Sequence, residues 1–333
     1  MTDDLRVYGT ALPGRATDAN TADSIRGLAR RAEKYGYTGL LAFYNHENID
    51  PWVVAAVMLQ ATRSLVPLVA LQPYAVPPIT AAKTLHDLAT LYRRRIDVNL
   101  ITGGIRGELG QVGDDVDHDG RYDRAVEHIS IVRRLTSSPE PLTHEGTYYR
   151  TRKLLAHAVL PEDLRPRVFV AGSSAANLRA ALDVADATIT HPEPVDAFAA
   201  RFAAPRHGHR PRIGIRVGLI ARPTDEEAWD VARRGYPPDR RAMAMTALKT
   251  RSESDWNRRI ARLAVAADVH DEVYWTGAYR SDRALMPQLV GSYERVAAYL
   301  RRYLALGVRE LLLGGVLDEE EFAHCDVVLD RVR

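Results

Sequence analysis

The sequence predicts a single (β/α)8 barrel over residues 1–333, with an inserted mobile or irregular segment at 235–287 before the last strand. Two observations carry this. Short apolar runs alternate eight times with longer stretches of helical periodicity, the pattern of parallel strands joined by crossover helices. The turn after the first run, Thr10-Ala11-Leu12-Pro13-Gly14, lacks the GxGxxG spacing that an open dinucleotide-binding sheet shows there, which favours closure into a barrel. Composition agrees: of 333 residues, 46% are hydrophobic and 26% charged, as in ordinary globular chains, and α/β barrels run past ~250 residues as one domain.

Taken in order, Leu5 to Thr10 reads as the first strand and Thr21 to Tyr35 as a helix, with Ile25, Leu28, Ala29 and Ala32 at helical spacing. Thr38 to Phe43 is a buried strand. Asp50-Pro51 opens a helix as N-cap and N1, the positions those residues favour. Leu65 to Leu71 is the third strand, Ile79 to Tyr92 the third helix and Ile96 to Ile101 the fourth strand. A loop rich in Gly and Asp runs from Gly103 to Gly120, before a helix at Arg121 to Leu135. Thr143 to Arg150 reads as a hairpin turning at Gly146. Strands follow at 167–171, 187–190, 212–221 and 310–313, with helices at 175–185, after Thr224, at 291–306 and at 319–332. The polar, Arg-rich stretch from Gly235 to Pro287 is long for a loop, and reads as a mobile lid or a helical excursion.

The charges nearly cancel, 45 basic against 43 acidic residues, which gives no footprint for nucleic acid. The run Arg93-Arg94-Arg95 reads as a solvated helix end. One cysteine, Cys325, cannot form an internal disulfide. With the absence of a leader-like start and of any long apolar run, it points to a cytoplasmic protein.

The active site of such a barrel lies beyond the C-terminal ends of its strands. After the second strand comes His46, a general acid or base, or a plain surface histidine. The fourth ends Asn99-Leu100-Ile101-Thr102-Gly103-Gly104, where Asn99 and Thr102 can bond a polar ring edge and the glycines permit close backbone approach. The fifth ends Gly172-Ser173-Ser174 and a helix starts at once. Its free N–H groups make a seat for phosphate, although serine is also an ordinary N-cap. The sixth ends Thr190-His191-Pro192-Glu193-Pro194, with His191 toward the mouth or in a plain loop. Asp114, Asp115, Asp117 and Asp119 surround His118 without the glycine and terminal Glu of an EF-hand loop, and no metal is expected.

These words, in this order, resemble a known family. Val98-Asn99-Leu100-Ile101-Thr102-Gly103 with Asp117-His118-Asp119-Gly120-Arg121-Tyr122 looks like the "NLVTG … HxxRY" signature of luciferase-like flavin monooxygenases of the alkanesulfonate type. Gly172-Ser173-Ser174 is similar to its "GGSS", Thr190 to Pro194 to its "TWGEP", Ile213 to Arg216 to its "FGIR", and Thr224 to Trp229 to its "TxEEAW". The resemblance implies reduced FMN, supplied by a separate NAD(P)H-dependent flavin reductase, and transfer of one oxygen atom from O2 to a small organic substrate. It also implies a homodimer or homotetramer. Asn99, Thr102, His118 and Tyr122 would contact the flavin; Gly172, Ser173 and Ser174 would hold its phosphate; Arg216 would face the active site.

The departures fall on the substrate side. The family's histidine two residues after the "FGIR" arginine is Gly218 here, and its "SGY" reads Gly314-Gly315-Val316. The "TWGEP" tryptophan is His191, and a cysteine before the second helix is Asn48. The lid arginine falls at Asp282, between Arg280 and Arg283, and Arg283 is the candidate to replace it. The resemblance therefore implies a substrate other than a simple alkanesulfonate, with His46 and His191 as candidates for proton transfer. Two alternatives stay open: a deazaflavin-dependent oxidoreductase of the same superfamily, and a flavin-binding accessory protein without catalysis.

Overall fold

The computed structural model describes residues 4–11, 20–103, 106–202, 211–252 and 254–333. Met1–Asp3, Leu12–Gly14 and Gly104, which figure in the sequence reading, lie outside them. The elements are β1 (Arg6–Ala11), α1 (Thr21–Lys34), β2 (Gly39–Ala42), α2 (Pro51–Ala61), β3 (Val66–Leu71), α3 (Pro78–Tyr92), β4 (Asp97–Leu100), α4 (Arg106–Gln111), α5 (His118–Ser137), β5 (Leu142–Glu145), β6 (Arg150–Leu154), β7 (Val168–Ala171), α6 (Ala175–Val184), β8 (Ala187–Thr190) and α7 (Val195–Phe202). They continue with β9 (Arg212–Arg222), α8 (Asp225–Gly235), α9 (Arg240–Lys249), α10 (Asp255–Ala266), β10 (Val269–His270), β11 (Tyr274–Trp275), α11 (Gly277–Arg280), β12 (Gln288–Ser292), α12 (Tyr293–Ala305), β13 (Val308–Gly314) and α13 (Glu319–Val332).

Eight parallel strands close on themselves in the order β1, β2, β3, β4, β7, β8, β9, β13 and back to β1. The closure has a sequence cause. Strands covered on both faces read as near-continuous apolar runs, and each is followed by a helix whose apolar stripe faces back onto the sheet. In α1 that stripe is Ile25, Leu28, Ala29 and Ala32, all buried. The helix starts carry their own signals: the side chains of Asp50, Ser174, Thr224 and Ser254 each accept a backbone N–H of the first turn.

Alternation along the strands sorts side chains into two layers. On β9, Ile215, Val217, Leu219 and Ala221 pack on the helices, so Gly214, Arg216 and Gly218 face the interior. Tyr8, Leu41, Leu68, Phe169, Ile189 and Leu312 fill the middle of the barrel. Its N-terminal end is ionic. Glu310, with no exposed surface, pairs with Arg167 at 2.8 Å and Arg212 at 2.6 Å. Asp97, equally buried, accepts from the Arg167 backbone at 3.0 Å and lies 2.9 Å from Arg95.

Of the two readings left open for 235–287, its described residues form the helical excursion, with helices α9, α10 and α11 and the short pair β10–β11. Two expectations are corrected in detail. The helix expected from Gly291 begins at Tyr293, because Gln288–Ser292 forms a further parallel strand on the C-terminal half of β9. The arginine run 93–95 is partly structural: Arg94 donates to the Leu59 carbonyl at 2.6 Å and Arg95 serves Asp97. The hairpin at 143–150 is present as β5–β6. Among the described residues no helix is long and apolar enough to cross a membrane.

Candidate active site

The mouth of the barrel collects polar groups from several strands. The register sets Thr190 beside Ile215, so the next residue, His191, lies beside Arg216. Asn99 reaches the same floor from β4; it is 5% exposed and its Oδ1 has no hydrogen-bond partner among the described residues. Buried polar atoms without partners are uncommon and costly, and Asn99 Oδ1, His191 Nδ1 and Arg216 Nε are three of them, the last two on adjoining strands. Such atoms at strand ends make this a candidate place for a polar ligand. Thr102, half-buried, follows at the end of the same run as Asn99.

Electrostatics sharpen the floor. Burial, and then the nearby Arg216 and Arg259 cations, push His191 well below the usual histidine range, so its ring is neutral at physiological pH. Burial lowers Arg216 to about 10, and it remains a cation. A neutral imidazole beside a fixed positive charge is a weak base, suited to hydrogen-bonding a polar ligand rather than to carrying a proton.

The Gly172-Ser173-Ser174 turn lies at the rim. Gly172 has φ +141°, and a Cβ there would lie 2.9 Å from the Tyr122 hydroxyl and 2.8 Å from Asn177 Nδ2. Glycine is therefore required, and the turn is pressed against Tyr122 of α5. His118, at the first position of α5, stands edge-on to Tyr122 with ring centroids 5.3 Å apart. Ser174 caps α6 through the Asn177 N–H at 3.2 Å. His118, Ser173 and Ser174 border a cleft of about 710 Å3 that also takes in Arg201, Asp255 and Arg258. Asp117 and Asp119 line it as well, so three carboxylates face the α6 N-terminus, the two hydroxyls and the two guanidinium groups; a helix N-terminus with hydroxyls and guanidinium groups is a candidate seat for an anion such as phosphate.

In this structure the carboxylate of Asp255 lies at that seat, accepting from Ser173 Oγ at 3.2 Å while paired with Arg258 at 2.7 Å. Asp255 starts α10, and the rest of that helix continues across the mouth. Trp256 stacks on His191, and Arg259 reaches Glu193 at 2.7 Å.

The sequence-derived candidates thus divide. Asn99 faces the interior from β4, since Val98 and Leu100 pack on the helices; His191 and Arg216 are neighbours on adjoining strands; and His118, Tyr122, Gly172, Ser173 and Ser174 share the rim. His46 is exposed and bonds Gln111 at 2.9 Å. Arg283 is exposed, with its guanidinium on the Gly235 carbonyl at 3.4 Å. The aspartates around His118 are engaged elsewhere: Asp114 with Arg124, Asp117 as the α5 cap, Asp119 with His118 and Arg179. Sequence reading missed Arg201, Asp255, Trp256, Arg258 and Arg259. The available signal was Ser254 capping a segment with Ile260, Ala261 and Ala264 on one face.

A closed eight-stranded barrel with a candidate anion seat at the α6 N-terminus and a polar mouth suits a flavoenzyme-type site, and comparison with known proteins identifies its family. The luciferase-like monooxygenase family model matches residues 7–310, and the chain belongs to this family of flavin-dependent monooxygenases. The chain is 42% identical over 298 residues, 89% of its length and 87% of the relative's, to the 4-(gamma-L-glutamylamino)butanoyl-[BtrI acyl-carrier protein] monooxygenase BtrO of Niallia circulans. Among solved structures it resembles riboflavin lyase RcaE, in a complex with modified FMN and riboflavin, with TM-score 0.77 and 20% identity over 98% of this chain and 91% of that one. It also resembles the EDTA monooxygenase EmoA of Chelativorans sp. BNC1, with TM-score 0.74 and 15% identity over 99% and 92% of the two chains. At these identities the structural likenesses establish the fold alone. The nearer likeness to alkanesulfonate enzymes stays an expectation.

Proposed function

We propose that the protein is the oxygenating component of a two-component system. It takes reduced FMN from a separate NAD(P)H-dependent flavin reductase and transfers one oxygen atom from O2 to an acyl group carried as a thioester on a carrier protein. The observation that carries the substrate class is the 42% identity over 89% of the chain to an enzyme named for oxidising a carrier-bound acyl chain. The unpartnered polar atoms at the mouth and the α6 anion seat support the cofactor.

When bound, the flavin supplies the oxygen chemistry; the chain's own residues place it and keep water out. In this reading Ser173, Ser174 and the α6 amides hold the phosphate beside Gly172, whose lack of a side chain lets Tyr122 approach. His118 and Tyr122 line the flavin's flank, and Asn99 and Thr102 meet the polar edge of its ring. Arg216 steadies negative charge at the reacting end, and neutral His191 hydrogen-bonds the reacting group there. His46 and Arg283, both exposed, receive no part in the chemistry from this arrangement.

The test is anaerobic titration with reduced FMN and with reduced riboflavin, followed by admission of oxygen with an acyl-pantetheine thioester. FMN should bind at least about tenfold more tightly than riboflavin, since a charged hydrogen-bonded phosphate is worth ~1.5–3 kcal/mol. Ser174→Ala should remove most of that difference. Equal binding of the two flavins overturns the phosphate assignment, and binding of a deazaflavin in preference to both overturns the flavin reading.

A further inference from the structure

Two departures from the family pattern, Gly218 and Gly314, turn out to share one structural reason. Both glycines face the barrel interior, because their strand neighbours Val217 and Leu313 pack on the helix layer. The register sets Gly314 opposite Gly218 and Gly218 opposite Gln288, in one row across β13, β9 and β12. A Cβ on Gly218 would lie 1.9 Å from Gln288 Oε1 and 2.5 Å from its Nε2. A Cβ on Gly314 would lie 2.7 Å from Met286 Sδ. The run leading into β12 therefore lays two side chains over the two glycines, and neither position tolerates the bulk the family carries there.

Gln288 is 2% exposed, and its Nε2 has no hydrogen-bond partner among the described residues. A buried amide without a partner is costly, and packing alone explains neither its polarity nor its place. It lies on the interior face of the sheet, one step along that face from Arg216, since residues 216 and 218 of β9 point the same way. Met286, 7% exposed, adds an apolar wall beside it.

We propose that Gln288 is a specificity-determining residue whose carboxamide reads a neutral carbonyl, that of an amide or ester, within the acyl chain of the substrate, while Met286 packs on adjoining methylenes. Gly218 and Gly314 are the space that admits this pair. The inference rests on the acyl-thioester reading above and narrows it to chains with an internal neutral acceptor. A neutral donor suits an amide oxygen, whereas a sulfonate calls for charged donors. A site built to bond a polar group strongly rejects the analogue that lacks it.

The experiment compares 4-acetamidobutanoyl-pantetheine with heptanoyl-pantetheine, its counterpart without the amide, in the wild type, Gln288→Leu and Gln288→Glu. Calorimetry of thioester binding to the flavin-free protein is measured separately from oxidation and from reduced-FMN affinity. The wild type should bind and turn over the amide at least about a hundredfold better. Both variants should lose at least about tenfold of that preference with reduced-FMN affinity unchanged. Reduced-FMN affinity kept in a variant shows that it is folded, and at least one of the two must keep it for the comparison. Amide binding that depends on Gln288 without oxidation of either thioester sinks the oxygenation reading and leaves this assignment standing. No amide preference in the wild type, or a preference unchanged in both variants, overturns it.

Discussion

The indole of Trp256 lies flat on the imidazole of His191, with ring centroids 3.5 Å apart and planes 9° from parallel. One ring comes from the inserted helix α10 and the other from the end of β8, so the insertion covers the barrel mouth at His191, beside Arg216. Exclusion of water from such a site suppresses side reactions. Trp256→Ala is expected to raise the hydrogen peroxide released per reduced flavin consumed several-fold and to leave reduced-FMN affinity almost unchanged. Quantifying peroxide against product checks this; unchanged coupling would show that the stack does not guard the site.

Asp255 places a carboxylate at the seat assigned to the cofactor phosphate. Two anions cannot share that seat, so in the proposed reading the phosphate of FMN turns the Asp255 carboxylate out of it while α10 stays in place. Asp255→Asn removes the competing charge and loosens its pairs with Arg258 and Arg259. FMN affinity should rise by about tenfold, the order expected for one charge at a partly exposed site, with riboflavin affinity unaffected. Titrating both flavins separates the outcomes: an equal change for the two means that Asp255 acts on the lid and not on the phosphate.

At the opposite end of the barrel, Glu310 holds Arg167 and Arg212 with no exposed surface of its own. Glu310→Gln removes a counter-charge shared by Arg6, Arg167 and Arg212, of which Arg212 keeps Asp4. Breaking a buried pair of this kind costs ~3–5 kcal/mol, and urea unfolding should report a loss of that size with reduced-FMN affinity retained. A loss under ~1 kcal/mol would mean that water relaxes into the cluster.

His128 predicts a pH dependence of stability. It is fully buried on α5, its Nε2 bonds the Val76 carbonyl at 2.8 Å, and burial lowers it to about 4. The folded pKa lies below the unfolded value, so the unfolded chain binds the proton more readily. The contribution is complete above about pH 6.5 and is lost as pH falls toward 4. Wild type should lose roughly 2 kcal/mol more between pH 7 and 4.5 than His128→Gln, which keeps a donor for Val76. Denaturant melts at the two pH values decide it, and parallel profiles would count against the assignment.

Much of the barrel was legible because buried parallel strands such as LVPLVAL leave unbroken apolar runs, and because Asp50-Pro51 and Ser173-Ser174 punctuate helix starts. β12 was not, since its QLVGS is short and runs straight into the periodic face of α12. The helices of 235–287 were hidden by their arginines. Arg259 is buried through its pairing with Glu193, and a buried ion pair reads in sequence as a solvated position. Of the rim, Gly172, Ser173 and Ser174 were readable because they follow the end of β7, whereas the part given to His118 and Tyr122 on α5 came only from the family resemblance. Asp255, Trp256 and Gln288 reach the site only through the path of the insertion, which no local pattern encodes.

The most direct test of the central claim is the fate of isotopically labelled oxygen. The protein, reduced FMN from a flavin reductase and 4-acetamidobutanoyl-pantetheine would react under labelled O2, with product mass read by spectrometry. The account predicts a product carrying one labelled oxygen atom, its formation abolished without FMN and sharply reduced by His191→Ala. Oxidised product without label, or consumption of the thioester in the absence of O2, would contradict it.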